Sequence, residues 1–220
     1  MHPSQHIDLL PRTRFTDFDD LSWRIRGFGM DWCQLDRGPL VVELQQVGLP
    51  SVLLSRFHCN RKFSQRGAPP PGMRTFAILT SDSPPVAWGR EDSRGGRMVV
   101  FPTDEDYRFV SRPGFAGDTI SISEKALWEA AALTEHDPQV QLPEGQGFLD
   151  VDGRLSALLR KLLTTIHTEA SSDPSPAAAR DNEVLLASTL LSMFEGCSKR
   201  FVSRPTPLAR RTALNRALDY

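Results

Sequence analysis

Short apolar runs separated by turn residues fill roughly the first 120 positions, and they constrain the fold more than any other feature of the chain. The stretch Thr119–Ser123 alternates apolar and polar side chains, as a strand with one buried face does. Clusters of Pro and Gly, such as Pro69–Gly72, lie between the runs. Because many short strands follow one another without intervening helices, the pattern predicts an antiparallel sandwich or barrel.

The apolar spacing changes after Ser123, which is a good N-cap for a helix from Glu124 to about Thr134. Two longer helical patterns follow. One carries leucines between Leu155 and Ile166, and the other begins at Pro176 and ends near Phe201. Short connections favour antiparallel packing of these two helices. The predicted fold class is therefore α+β, an antiparallel β-barrel followed by an antiparallel helical pair.

The first of the two long helices has a wide apolar face, and such faces suit self-association. We expect a homodimer with contacts from this face. The alternative is that both helices pack only on the barrel and on each other. The predicted dimerisation residues are Leu155, Leu159, Leu162, Leu163 and Ile166.

Charge and cysteine usage bear on partners and compartment. The net charge of −1 gives no global field that would attract nucleic acid or an anionic membrane. No apolar run approaches the length that spans a bilayer, so we expect no membrane partner. Three cysteines without a C-x-x-C pair fit reduced thiols and a cytoplasmic location.

Residues for metal or nucleophilic chemistry are scattered. A metal site needs several histidines and carboxylates that converge on one point. None of the five histidines lie two residues apart, and only His58 falls in a predicted strand. The chain also lacks a Gly-x-Ser-x-Gly elbow and a phosphate-binding P-loop. The sequence therefore predicts no enzyme activity, no metal and no cofactor.

Aromatic residues on the predicted strands suggest a pocket for a small organic ligand inside the barrel. Two arginines are candidates to orient an acidic group of that ligand. For each aromatic residue the alternative is an ordinary place in the core. The candidate ligand-binding residues are Arg56, Phe57, Arg74, Phe76, Trp88 and Phe101.

The last residues of the sequence look like the opening of one more helix. Thr206 can cap this helix with Pro207 at its first position. An apolar stripe including Leu214 and Leu218 follows, and a stripe of this kind has to bury against something. We expect the start of a further domain here. The alternative is a C-terminal helix that docks back on its own domain.

The order of these features resembles the N-terminal part of AraC-family transcriptional regulators. Five stretches carry the resemblance: Phe15–Leu21, Gln34–Leu40, Met98–Pro102, Thr119–Leu127 and Arg211–Tyr220. The last is similar to the first helix of the family's DNA-binding domain. The resemblance implies a cupin-like sensor domain over residues 1–123 and a helical dimerisation and linker region over 124–203. Residues 204–220 would be a linker and the start of a helix-turn-helix domain.

The family roles implied are effector sensing by the barrel, dimerisation through the helices, and contact with promoter DNA through a domain beyond residue 220. Two rival functions remain open. One is a stand-alone binding protein of the same cupin fold, and the other is a metal-dependent cupin enzyme. The effector and the target genes are not readable from the residues.

Overall fold

The computed structural model describes residues 8–88, 91–92, 97–103, 106–134, 136–137, 140–143, 145–172 and 175–197. Within these ranges the chain forms twelve strands and four helices. In chain order they are β1 (Asp8–Phe15), α1 (Phe18–Arg24), β2 (Gly29–Gln34), β3 (Val42–Gly48), β4 (Val52–Cys59), β5 (Phe63–Ala68), β6 (Met73–Leu79), β7 (Ala87–Trp88), β8 (Glu91–Asp92), β9 (Arg97–Val100), β10 (Tyr107–Val110), β11 (Phe115–Ser123), α2 (Glu124–Leu133), β12 (Gly147–Asp150), α3 (Gly153–Ser172) and α4 (Pro176–Cys197).

The strands form two antiparallel sheets. The seven-stranded sheet has the order β1-β3-β4-β11-β6-β9-β12, and the five-stranded sheet has the order β2-β5-β10-β7-β8. Strand β11 lies in the middle of the larger sheet and pairs with β4 along one edge and with β6 along the other. No strand pair among the described residues joins the two sheets, so this part of the chain is an open sandwich of two sheets rather than one closed barrel.

Side chains alternate across a strand, so the seven-stranded sheet presents apolar residues on both faces. Each face packs against another layer over most of its area. The inner face, with Val42, Phe57 and Val99, packs towards the five-stranded sheet in one apolar cluster. The outer face, with Leu54 and Ile120, packs with the helices in a second cluster. The larger sheet is thus a wall between the sandwich interior and the helical layer.

Local sequence signals explain where the helices begin. The Ser123 hydroxyl accepts a hydrogen bond from the backbone N–H of Ala126 at 3.2 Å and caps α2. A carboxylate oxygen of Asp152 accepts from the N–H of Arg154 at 2.8 Å and begins α3 in the same way.

The two antiparallel sheets and the helices confirm the predicted α+β class with a cupin-like β structure. Contacts between α3 and α4 show that these two helices form the predicted antiparallel pair. Asn182, near the start of α4, donates a 3.2 Å hydrogen bond to Glu169 near the end of α3. This contact joins opposite ends of the two helices. Phe194 of α4 lies 5.0 Å from the ring of Phe76 and anchors the pair on the sheet. The predicted last helix, within residues 204–220, lies outside the described residues.

Candidate ligand-binding site

The interior of the sandwich contains a cavity of about 50 Å³. Both sheets contribute to its walls, together with the segment that joins α1 to β2. Liquid water occupies about 30 Å³ per molecule, so the cavity has room for one or two waters. Its aromatic lining residues are Phe28, Trp32, Phe57, Phe101, Tyr107, Phe109 and Phe115.

Strand alternation decides which residues reach this cavity. In β4, Ser55 and Phe57 line it, whereas Arg56 between them contacts helix α3 on the other side of the sheet. In β11, Gly117 and Thr119 line it in the same way.

Charge is missing from the described lining residues, and the polar groups present are neutral. Gln65 donates to the Tyr107 hydroxyl and to the Met30 sulfur. Burial raises the pKa of Tyr107 far above its usual value, and the Gln65 hydrogen bond opposes that rise only in part. The Tyr107 hydroxyl therefore stays protonated across the physiological range. A site of this kind favours a neutral ligand, because a buried charge without a partner is costly.

Trp32 is the one aromatic side chain among the described lining residues with an unused polar group. Its ring stacks between Phe18 at 5.4 Å and Phe57 at 5.2 Å, with interplanar angles of 10° and 12°. The indole N–H is buried and has no hydrogen-bond partner in the described part of the chain. A buried donor without a partner costs about 1–3 kcal/mol, so an acceptor placed beside it would bind favourably.

The predicted ligand-binding residues separate into three groups. Phe57 and Phe101 line the cavity. Arg56, Arg74 and Phe76 do not; all three lie on the face of the sheet that meets the helices. The side chain of Trp88 lies outside the described residues.

Each arginine on the outer face has its own carboxylate. Arg74 donates to Glu124 at 2.6 Å and to the Thr103 hydroxyl at 2.9 Å. Arg56 holds Asp118 through two hydrogen bonds of 2.7 and 3.1 Å. The Arg74 pair joins β6 to α2, and the Arg56 pair joins β4 to β11 on the same outer face. Neither arginine lines the cavity, so the argument for an acidic ligand there loses its basis.

The predicted dimerisation residues belong to the chain's own core. Leu159 and Leu163 are fully buried within one protomer, and Leu162 and Ile166 are nearly so. Leu155 packs partly buried against the same cluster. The apolar face of α3 is therefore covered by the sheet and by α4. Leu158 and Leu185 are the half-exposed leucines on α3 and α4.

Sequence reasoning missed Trp32, Gln65 and Tyr107. Strand β2 was not predicted, although the half-buried Met30, Trp32 and Gln34 alternate with exposed residues along it. This alternation is the signal that would have placed Trp32 on an inward face.

The described residues also bear on metal binding and on membrane insertion. They contain no group of three or more histidine, cysteine, aspartate or glutamate side chains placed to hold a metal ion. None of their helices is long and apolar enough to cross a membrane.

Comparison with known proteins bears on the fold of this chain. No protein-family model and no curated protein sequence matches the chain. Among solved structures, the chain is similar to the crystal structure of the AraC-like transcriptional activator CuxR, with a TM-score of 0.60 and 12% sequence identity. The match covers 84% of this chain and 70% of that one. At this identity the likeness is one of fold.

Proposed function

We propose that this chain is the effector-sensing and dimerisation portion of a cytoplasmic transcriptional regulator of the AraC type. The fold it shares with an AraC-like transcriptional activator supports the regulatory role. The sandwich interior is the effector site, the chain works as a homodimer, and promoter DNA is the target of the regulator.

The observation that carries the sensing role is the cavity with the unpartnered indole N–H of Trp32. Packed protein interiors seldom retain a buried donor without a partner. A ligand with one hydrogen-bond acceptor would pair with this N–H, and its apolar surface would pack against the aromatic walls of the cavity. The effector class that follows is a small, neutral, largely apolar organic molecule with one hydrogen-bond acceptor.

The cavity volume adds a condition to this proposal. At about 50 Å³ it is smaller than the 150 Å³ cavity that takes benzene in an engineered protein. An effector therefore has to move apart some of the aromatic side chains that close the cavity. The Phe18–Trp32–Phe57 stack is the place where such an opening begins, because Trp32 is only partly buried.

The test uses a matched pair of small probes and the indole N–H signals of the four tryptophans. Acetophenone carries a carbonyl acceptor, and ethylbenzene has a similar size without one. We expect acetophenone to shift the Trp32 indole signal in a ¹H–¹⁵N correlation spectrum until the shift saturates. Ethylbenzene should shift the same signal less. Trp32→Phe assigns the signal, because the indole N–H is removed. We also expect this variant to weaken acetophenone binding by several-fold or more, because one hydrogen bond is lost.

Trp23 is an internal control, because 88% of it is exposed on α1, away from the cavity lining. Equal shifts at Trp23 and Trp32, or none at Trp32 with any small neutral aromatic probe, would contradict an interior effector site.

Dimerisation is tested separately by light scattering over a concentration series. Because Leu159 and Leu163 are buried within one protomer, we expect the dimer to use exposed positions of the helices. Leu158→Glu and Leu185→Glu are the variants to compare, since both side chains are about half exposed. A monomer at all concentrations would contradict the dimer.

A further inference from the structure

A second, larger cavity lies on the outer face of the seven-stranded sheet. It has a volume of about 340 Å³ and opens to solvent. This size falls within the range of small-molecule sites, unlike the interior cavity. Six of its ten described lining residues have polar side chains, and strands β1, β3 and β4 provide most of the lining. We call it the outer groove; its polar side chains are Arg12, Glu43, Gln45, Arg56, His58 and Thr80.

Two guanidinium groups border the outer groove, and each is paired with a carboxylate. Arg12 donates to Glu43 through Nε and Nη2. Arg56 uses the same two nitrogens for Asp118. Neither Nη1 has a hydrogen-bond partner among the described residues. Each arginine therefore retains an unused donor.

The charged side chains in the described lining of the outer groove are two arginines and one glutamate. Two further carboxylates adjoin it: Asp118 pairs with Arg56 from behind, and Asp82 interacts with the lining residues Thr80 and His58. The hydrogen bond from Arg12 holds the pKa of Glu43 below its usual value; burial opposes this, and the nearby His58 and Arg14 lower the pKa further. Glu43 therefore stays ionised and paired with Arg12 near pH 7.

We propose that the outer groove is a second binding site, for a compact oxyanion held by Arg12 and Arg56. Arginine suits this role because its planar fork binds carboxylate, sulfate and phosphate oxygens in pairs. Displacing the contact between Arg12 and Glu43 costs little, because this ion pair is exposed and exposed ion pairs contribute little to stability. This site lies across the sheet from the proposed effector cavity and does not depend on it.

An anion in the outer groove contacts the helical layer through one side chain. Arg56 Nη2 also donates to the Thr164 hydroxyl of α3 at 3.2 Å. Asp118, the carboxylate behind Arg56, lies 3.7 Å from the imidazole Nε2 of His167 on the same helix. An oxyanion that recruits Arg56 therefore acts on the contact between the sheet and α3.

The experiment titrates the full chain with sodium sulfate at low ionic strength, with sodium chloride at matched ionic strength as the salt control. Sulfate keeps its double charge across neutral pH, so its own protonation does not complicate the result. We expect saturable sulfate binding, seen as shifts of groove amide signals in ¹H–¹⁵N spectra, and no saturation with chloride. A parallel titration with acetate shows whether the outer groove prefers a tetrahedral oxyanion or a carboxylate. Saturable binding of either anion supports the proposed site.

Arg12→Gln is the principal variant, because Arg12 is exposed and its loss leaves the core intact. We expect it to weaken sulfate binding about tenfold, the effect of losing hydrogen bonds to a charged group. Arg66→Gln is the matched control, since Arg66 is also exposed and paired with a carboxylate, Asp106, but lies on the five-stranded sheet. Arg56→Lys tests the second arginine while it keeps a cation beside Asp118.

Three results would overturn the proposal: no saturable binding of sulfate or acetate by the unmodified chain, equal weakening by Arg12→Gln and Arg66→Gln, or binding unchanged by both groove variants. A failure here leaves the interior effector site untouched, because the Trp32 signal reports on that site alone.

Discussion

His167 belongs to α3 and faces the seven-stranded sheet, with 2% of its side chain exposed. Neither ring nitrogen has a hydrogen-bond partner among the described residues. Burial lowers the pKa of His167 to about 4; Asp118 opposes this, and Arg56 reinforces it. Asp118 is already engaged by two hydrogen bonds from Arg56, so the imidazole stays neutral near pH 7.

The lowered pKa of His167 makes the fold sensitive to acid. Between the ordinary pKa of 6.5 and about 4, the unfolded chain binds a proton at this residue that the folded chain does not. The free energy of unfolding therefore falls as the pH falls through this window. We expect a loss of about 2 kcal/mol between pH 7 and pH 5, measured by urea denaturation.

His167→Leu is the variant that isolates this contribution. It removes the titrating group and both unpartnered nitrogens, so we expect a shallower loss of stability between pH 7 and pH 5 than in the unmodified chain. Glu183, whose pKa burial raises, titrates with the opposite sign but is present in both proteins. An identical pH profile for the two proteins would show that His167 does not titrate in this way.

Residue identity alone did not reveal which face of a strand each side chain occupies. Arg56 and Phe57 are neighbours in one strand, yet one lies against α3 and the other lines the interior cavity. Both faces of this sheet are buried, so the usual alternation of apolar and polar residues is weakened and does not mark the inner face. Both residues were predicted to bind the ligand; in the structure Phe57 lines the cavity and Arg56 does not.

At the level of elements, capping and helical spacing were readable, because they depend on neighbours in sequence. The cap at Ser123 and the three helices after it lie close to where the pattern predicted them. Strand β12 was missed, because only Phe148 and Leu149 mark it and it exists through pairing with β9. Strand β1 was missed as well; it contains Pro11 at a register shift.

Helix α3 offers a test of where its apolar face packs. Leu158 and Leu159 are adjacent, but 49% of Leu158 is exposed and Leu159 is fully buried against the sheet and α4. We expect Leu159→Ala to lower the free energy of unfolding by about 2–5 kcal/mol, the cost of a cavity in a packed core. Leu158→Ala should change it by about 0.5 kcal/mol or less.

Chemical denaturation of both variants at low protein concentration measures the difference. If Leu158→Ala is as destabilising as Leu159→Ala, then α3 packs in another orientation or Leu158 lies in a stable dimer contact. A repeat at higher protein concentration distinguishes the two, because only a dimer contact makes stability depend on concentration.

At the scale of the whole molecule, one sheet belongs to two cores. Residues such as Leu54 and Ile120 pack with α2, α3 and α4, while Phe57 and Val99 pack with the five-stranded sheet. The sheet also takes β12 as its last strand, from a segment between α2 and α3. A single layer of backbone therefore separates the sandwich interior from the core beneath the helices.

This shared sheet bears on the predicted boundary at residue 123. A polypeptide of residues 1–123 would lose β12 and all three later helices, and it would expose the outer face of the sheet, including Leu54, Ile120 and Ile122. An apolar patch of that kind drives aggregation. We expect residues 1–197 to melt in one cooperative transition and residues 1–123 to aggregate or to bind a hydrophobic dye without a cooperative transition. Calorimetry and dye fluorescence on the two lengths make the comparison. A cooperative transition in residues 1–123, at a melting temperature near that of the longer chain, would mean that the sandwich folds alone. The helices would then be a separable layer. Any coupling between the proposed effector cavity and the helices would need contacts other than the shared core.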